Sequence, residues 1–175
     1  VLLPLRRSEE GAGPKQDPRR VVGVENGGKE YRILVVDDKK ENRDVLRALL
    51  EPMGFALKES ANGTEALKVF GEWSPHAILM DMRMPVMDGY EATRRIKADL
   101  KGAAVPIIAV TAFAFEEDEQ KAFQAGVNGY LRKPFRPDEL FLALGKALGL
   151  RCIHAEDSRG GETPLTSEAL TVTPA

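Results

Sequence analysis

The stretch HAILMDMRMPVMDGYEA, residues 76–92, decides how the rest of the chain is read. Its apolar start, His76 to Met80, predicts a short buried strand. The run stops at Asp81, and Pro85 and the turn pair Asp88-Gly89 come before a helical pattern. A carboxylate at the carboxyl end of a buried strand, with a loop behind it, lies where α/β sheets place their ligands. Asp81 is therefore the candidate reactive residue, and the Met-Pro-Val-Met-Asp-Gly loop is the expected wall of its pocket.

The same alternation runs outward in both directions. Arg32-Ile33-Leu34-Val35-Val36 is a β-branched apolar run that ends in Asp37-Asp38. Over residues 42–53, Val45, Leu46, Leu49, Leu50 and Met53 form one helical stripe that stops near Gly54. Residues 55–59 read as a weaker strand. Asn62 and Glu65 then predict an N-cap and its N3 partner, for a helix turning Ala66, Leu67 and Phe70 inward. After the opening stretch, a helix from Gly89 carries Ala92, Ile96 and Leu100. Residues 105–110 form the fourth strand, ending at Thr111, and Glu116 to Glu119 crowd the first turn of the next helix, where the macrodipole favours acids. Gly126 is the expected stop. Residues 129–132 give a fifth strand leading to Lys133-Pro134. Pro137 opens a last helix that buries Leu140, Phe141, Leu144 and Leu148. Five β-α units with strands apolar throughout predict a doubly wound α/β domain, its parallel sheet covered on both faces. The alternation leaves the strand order open.

The chain of 175 residues suits one domain, placed here at residues 31–150. Residues 1–30, rich in Gly and Pro, read as a linker or arm, and residues 151–175 as a tail. A net charge of −2 gives no electrostatic case for nucleic acid or an anionic membrane. No apolar run approaches the roughly 18 residues of a membrane span. The single cysteine, Cys152, fits a reducing, cytoplasmic compartment. VLLPLRR is no signal peptide, and the chain does not begin with Met, so a processed chain or a piece of a longer protein is expected.

Parallel strands bring their carboxyl ends to one edge, so Asp37, Asp38, Asp81, Thr111 and Lys133 are expected to meet there. Three carboxylates close together repel, and Mg²⁺ compensates such a set well, taking carboxylates together with waters and phosphate oxygens. A carboxylate nucleophile, a hard cation, a lysine and a hydroxyl are the parts required for phosphoryl transfer to an aspartate. Each residue alone has a plainer reading as a cap, a loop acid or a surface lysine. Their shared position at strand ends makes the joint reading the stronger one.

ILVVDD at residues 33–38, MDMRMPVMDG at 80–89, AVTA at 109–112 and YLRKPF at 130–135 resemble the receiver domain of two-component response regulators. The resemblance implies a flavodoxin-like sheet in the order 2-1-3-4-5. It implies a phosphoacceptor at Asp81, acidic Mg²⁺ ligands at Asp37 and Asp38 (one direct, one through water), and a metal-binding carbonyl at Arg83. It further implies a switch hydroxyl at Thr111, a switch aromatic at Tyr130, a phosphoryl-contacting lysine at Lys133 and a cis peptide at Lys133-Pro134. Arg83 and Phe113, each two residues past a key position, are expected to shield the phosphoryl group from water. DDKKENR and YLRKPFRPDELF are similar to receivers of hybrid sensor histidine kinases, and LTSEAL at residues 166–171 faintly resembles a segment following such receivers. The implied partner is a histidine kinase core or a histidine phosphotransfer protein. The alternative is a stand-alone regulator.

Two other classes fit less well. A haloacid dehalogenase-type phosphohydrolase puts its nucleophile after the first strand with a second Asp two residues on, where this chain has Arg83. A flavodoxin needs a hydroxyl-rich phosphate loop, and DDKKENR would repel the phosphate. His76 and His154 lack the helical setting of a phosphodonor and read as structural or incidental.

Overall fold

Strands that are apolar on both faces place a sheet at the centre of the molecule. The computed structural model describes residues 20–113 and 115–157. The elements in chain order are β1 (Val21–Glu25), β2 (Arg32–Val36), α1 (Lys40–Leu50), β3 (Ala56–Ser60), α2 (Gly63–Trp73), β4 (Ala77–Met80) and α3 (Gly89–Ala98). They continue with β5 (Ile107–Thr111), α4 (Glu116–Ala125), β6 (Gly129–Arg132), α5 (Pro137–Leu148) and β7 (Arg151–His154). β2 to β6 form one sheet in the order β3-β2-β4-β5-β6, all neighbours parallel. Counted from β2, this is the flavodoxin-like order 2-1-3-4-5.

The alternation along each strand sorts the core into two layers. Ile33 and Val35, Ala77 and Leu79, Ile108 and Val110, and Leu131 face α1 and α5. Leu34 and Val36, Ile78 and Met80, and Ile107 and Ala109 face α2, α3 and α4. The larger of these side chains, fully buried, contribute about 1.5–3 kcal/mol each. Helix starts follow the expected chemistry. Asn62 Oδ1 accepts from Glu65 N–H at 3.0 Å, and Asp88 Oδ1 accepts from Glu91 N–H at 2.8 Å. The Glu65 carboxylate accepts from Ala61 N–H at 2.8 Å, one residue before the cap.

Four expectations change. Helix α1 ends at Leu50, because Pro52 turns residues Glu51–Met53 into a 3₁₀ turn before Gly54, at φ 83°. Val45 lies off the buried stripe and is 54% exposed. Helix α3 stops at Ala98, because Asp99 is extended and the chain folds back, Gly102 N–H donating to Asp99 O at 3.0 Å. Leu100 falls on that turn and is 97% exposed. Finally, the expected arm and tail each contain a strand. β1 pairs antiparallel with β7, and Val21 and Val24 are buried against the α1/α5 layer. A Cβ on Gly23 would sit 2.9 Å from Met53 Sδ, and one on Gly145 would sit 2.8 Å from Cys152 Sγ, so this small sheet seats closely on the 3₁₀ turn and α5. Residues 1–19 and 158–175, including LTSEAL, lie outside the described residues. No helix among the described residues is long and apolar enough to cross a membrane.

Candidate functional site

Three backbone hydrogen bonds carry the parallel ladder one residue beyond the strands. Asp37 N–H donates to Ser60 O at 3.1 Å, Asp81 N–H to Val36 O at 2.8 Å and Lys133 N–H to Thr111 O at 2.9 Å. The sheet therefore fixes Asp81 and its neighbours before any side chain acts. Alternation places Asp37, Asp81 and Lys133 in the rows of Val35, Leu79 and Leu131, on the α1/α5 side. Thr111 follows Ile107 and Ala109, and with Tyr130 belongs to the opposite side, toward α3 and α4. The five residues expected at one edge are thus divided between two faces.

Asp37, Asp38 and Asp81 each offer a carboxylate oxygen, and these lie within 4.8 Å of one another. Asp37, 1% exposed, is saturated with donors. Its Oδ1 accepts from Lys39 N–H at 2.9 Å and Asn42 Nδ2 at 3.1 Å, and its Oδ2 from Asn42 Nδ2 at 3.0 Å and Lys133 Nζ at 2.5 Å. Lys133 Nζ is 3.7 Å from Asp81 Oδ2, so the lysine sits nearer Asp37 than Asp81. Asp81 Oδ1 accepts from Arg83 N–H at 3.2 Å. Asp38 accepts no hydrogen bond from another described residue. Burial pushes the Asp81 carboxyl above its ordinary range, the Lys133 ammonium and Arg83 N–H pull it down, and the Asp37 and Asp38 charges push it up further. The balance is upward. Hard oxygen donors at this spacing, one of them unpartnered and one reluctant to ionise, fit a hard divalent cation.

The cleft over these acids holds about 230 Å³ and is lined by Asp38, Asp81, Arg83, Phe113 and Lys133 among others. The Arg83 guanidinium lies 3.8 Å above the Phe113 ring, and its Nη2 donates to Asp118 Oδ1 at 3.2 Å and Oδ2 at 3.3 Å. Thr111 is buried, its Oγ1 accepting from Phe113 N–H at 3.3 Å, and it does not line the cleft. The Tyr130 hydroxyl donates to the Phe113 carbonyl. The Lys133-Pro134 peptide is cis, as the motif led one to expect.

The loop after Asp81 departs from expectation. Met84, Pro85 and Asp88 line a wider groove of about 910 Å³ near α3 and α4, and none of the three lines the acidic cleft. Met82, Met84 and Met87 are buried and pin the loop from below. Val86, at φ 72°, is bridged by Met87 N–H donating to Pro85 O at 2.9 Å, a strained γ-turn. Gly89 is dictated by contact, since a Cβ there would lie 2.2 Å from the Asp81 carbonyl oxygen. Two contributors were missed in the sequence, Asn42 and Asp118. Asn42 follows Asp37 by five residues within DDKKEN, which was its one signal. Asp118 is one of four consecutive acids, and nothing in the sequence separates it from the others.

The fold agrees with the comparisons. Residues 33–145 match the family model of the response regulator receiver domain. The chain belongs to that family. It is 38% identical over 117 residues to the chemotaxis protein CheY of Halobacterium salinarum, a match covering 67% of this chain and 96% of that protein. It is 32% identical over 127 residues to the sensor histidine kinase CheAY of Helicobacter pylori, spanning 71% of this chain but 16% of that one. Among solved structures, the receiver domain of a sensor histidine kinase from Pseudomonas aeruginosa PAO1, with a magnesium ion in its active site cleft, superposes with a TM-score of 0.65 at 42% identity. That match covers 69% of this chain and 99% of the other.

Proposed function

We propose that this chain is the phosphoacceptor module of a phosphorelay, taking a phosphoryl group from a phosphohistidine onto Asp81. The observation that carries the reading is the meeting of Asp37, Asp38 and Asp81 with Lys133 at one sheet edge. In the transfer an Asp81 carboxylate oxygen forms the new P–O bond. The P–N bond to the donor imidazole breaks, and the imidazole nitrogen keeps the electron pair. Asp38, Asp81 and the Arg83 carbonyl would hold Mg²⁺ directly, with Asp37, whose oxygens are already taken, acting through water. Bound there, Mg²⁺ supplies positive charge against the phosphoryl oxygens. Lys133 balances charge from the Asp37 side and lies close enough to Asp81 to meet a phosphoryl oxygen.

Once Asp81 is phosphorylated, the Thr111 hydroxyl exchanges its local Phe113 N–H contact for a phosphoryl oxygen. Tyr130 then leaves the Phe113 carbonyl and turns inward, reshaping the surface around α4, β6 and α5 that partners read. Arg83 and Phe113, which both line the cleft, shield the acyl phosphate from water, so the chain governs the lifetime of its own adduct. The setting that best fits the motifs and the match to histidine kinase receivers is a module of a cytoplasmic hybrid kinase, with a kinase core or phosphotransfer protein as partner. Incubation with acetyl phosphate and Mg²⁺ followed by intact mass tests the reading. A phosphoryl adduct on the wild type and none on Asp81→Asn supports it; equal labelling of both, or of neither, contradicts it.

A further inference from the structure

Helix α4 is held by few apolar contacts. Its buried side chains are Ala122, Ala125 and Asp118, and Phe123 is 46% exposed. Of the four acids in its first turn, Glu116 and Glu117 are exposed and Glu119 is half-buried. Asp118 is 8% exposed. A buried carboxylate needs a partner. The partner is Arg83, two residues past the acceptor, through hydrogen bonds of 3.2 and 3.3 Å. The same guanidinium stacks on Phe113, whose carbonyl receives the Tyr130 hydroxyl. One cation therefore bridges the acceptor loop, the first turn of α4 and the segment that holds the switch tyrosine. Arg83 lines both the 230 Å³ cleft and the 910 Å³ groove, so there is space on either side of it.

We infer that Asp118 is a positioning residue that latches Arg83 to α4 in the unphosphorylated protein, and that a phosphoryl group on Asp81 draws Arg83 off it. The inference rests on the phosphoacceptor reading of Asp81. Guanidinium prefers the forked oxygens of a phosphoryl dianion, with its greater charge, to a single carboxylate. When Arg83 swings into the cleft, Asp118 loses its partner and the lightly packed first turn of α4 loosens. The Phe113 segment, freed of the stacked cation, releases Tyr130. Arg83 then serves in both states, tethering α4 in one and covering the phosphoryl group in the other.

The test uses the whole chain with Mg²⁺, with and without beryllofluoride as a stable phosphoryl mimic. In the wild type, the Arg83 Nε–Hε resonance moves when beryllofluoride binds, and amide exchange over residues 115–119 speeds up. In Asp118→Asn without the mimic, exchange there is already about two- to five-fold faster than in wild type, and the acetyl phosphate adduct lasts longer by a similar factor. Asp118→Glu restores wild-type behaviour, which mere packing at this site would not do. The inference is overturned by an unmoved Arg83 resonance in the bound wild type. It is also overturned by wild-type exchange in Asp118→Asn, or by Asp118→Glu behaving as Asp118→Asn does. A wild type that neither binds beryllofluoride nor takes up phosphoryl instead defeats the phosphoacceptor reading itself, and this inference with it.

Discussion

Asp81 carries a burial penalty that Lys133 and the Arg83 N–H do not remove. Its carboxyl is raised above the unfolded value of 3.8, so the folded chain binds this proton more tightly than the unfolded chain does. The stability this provides is complete below that value and is lost as pH rises through the folded pKa. At neutral pH the folded state bears the charge at a disadvantage. Asp81→Asn, measured without divalent cation, is expected to raise the melting midpoint at pH 7 by about 2–4 °C, the equivalent of about 1 kcal/mol in a domain of this size. The difference should shrink on acidification, when the wild-type carboxyl protonates; a lower midpoint for the variant at pH 7 would show that Asp81 is not strained by its charge. Arg83→Ala combined with Phe113→Ala is expected to shorten the adduct lifetime about three- to ten-fold, followed by loss of the phosphorylated mass with time. An unchanged lifetime would remove the shield. Much at this scale was legible in the sequence, because Asp37, Asp38, Asp81 and Lys133 each lie at the carboxyl end of an expected strand. The separation of Thr111 and Tyr130 from them was not, since it depends on register between strands that lie far apart in the chain. Asp118 was hidden for a different reason, because Arg83 picks it out from three neighbouring acids by direction alone.

Among the elements, the turn from β4 into α3 sets the position of Asp81. Gly89 N–H donates to Met82 O at 3.1 Å, and the absence of a side chain at Gly89 lets α3 begin directly against the Asp81 carbonyl. Gly89→Ala must push backbone aside and is expected to cost about 2–3 kcal/mol in urea unfolding, with loss of phosphoryl uptake in whatever folds. Wild-type stability and uptake would show that the helix start can shift freely. The sequence marked this residue only as a turn glycine, and the close approach became visible with α3 in place. His76, expected to be structural or incidental, has a specific structural role. Nδ1 accepts from Arg32 N–H at 2.9 Å, continuing the pairing of β2 and β4, and burial followed by the Arg32 charge lowers its pKa. The helices were predictable where one stripe met one layer, as in α2 and α5. They differ from expectation at Val45, which lies off the buried stripe of α1, and at Met53 and Leu100, where the helical period continues past the point at which Pro52 or the fold-back at Gly102 governs the chain.

Across the whole molecule, the core sheet follows from the alternation of five β-α units, and the β1–β7 sheet does not. VVGVE and RCIH are too short, and too close to glycines, to announce strands, and each is completed by a partner about 130 residues away in sequence. That pairing joins the two flanks of the domain, with Ala155 N–H donating to Arg20 O at 2.9 Å. Val21→Ala with Val24→Ala is expected to lower stability by about 2–4 kcal/mol while phosphoryl uptake persists, read from chemical denaturation beside intact mass. Unchanged stability would mean that the small sheet merely rests on α5. The central claim concerns one carboxylate among three that lie within 4.8 Å of one another. Its most direct test is borohydride trapping after treatment with acetyl phosphate and Mg²⁺, which reduces an aspartyl phosphate to homoserine, followed by peptide mapping. The account predicts homoserine at position 81 alone; homoserine at position 37 or 38, or at none, would contradict it.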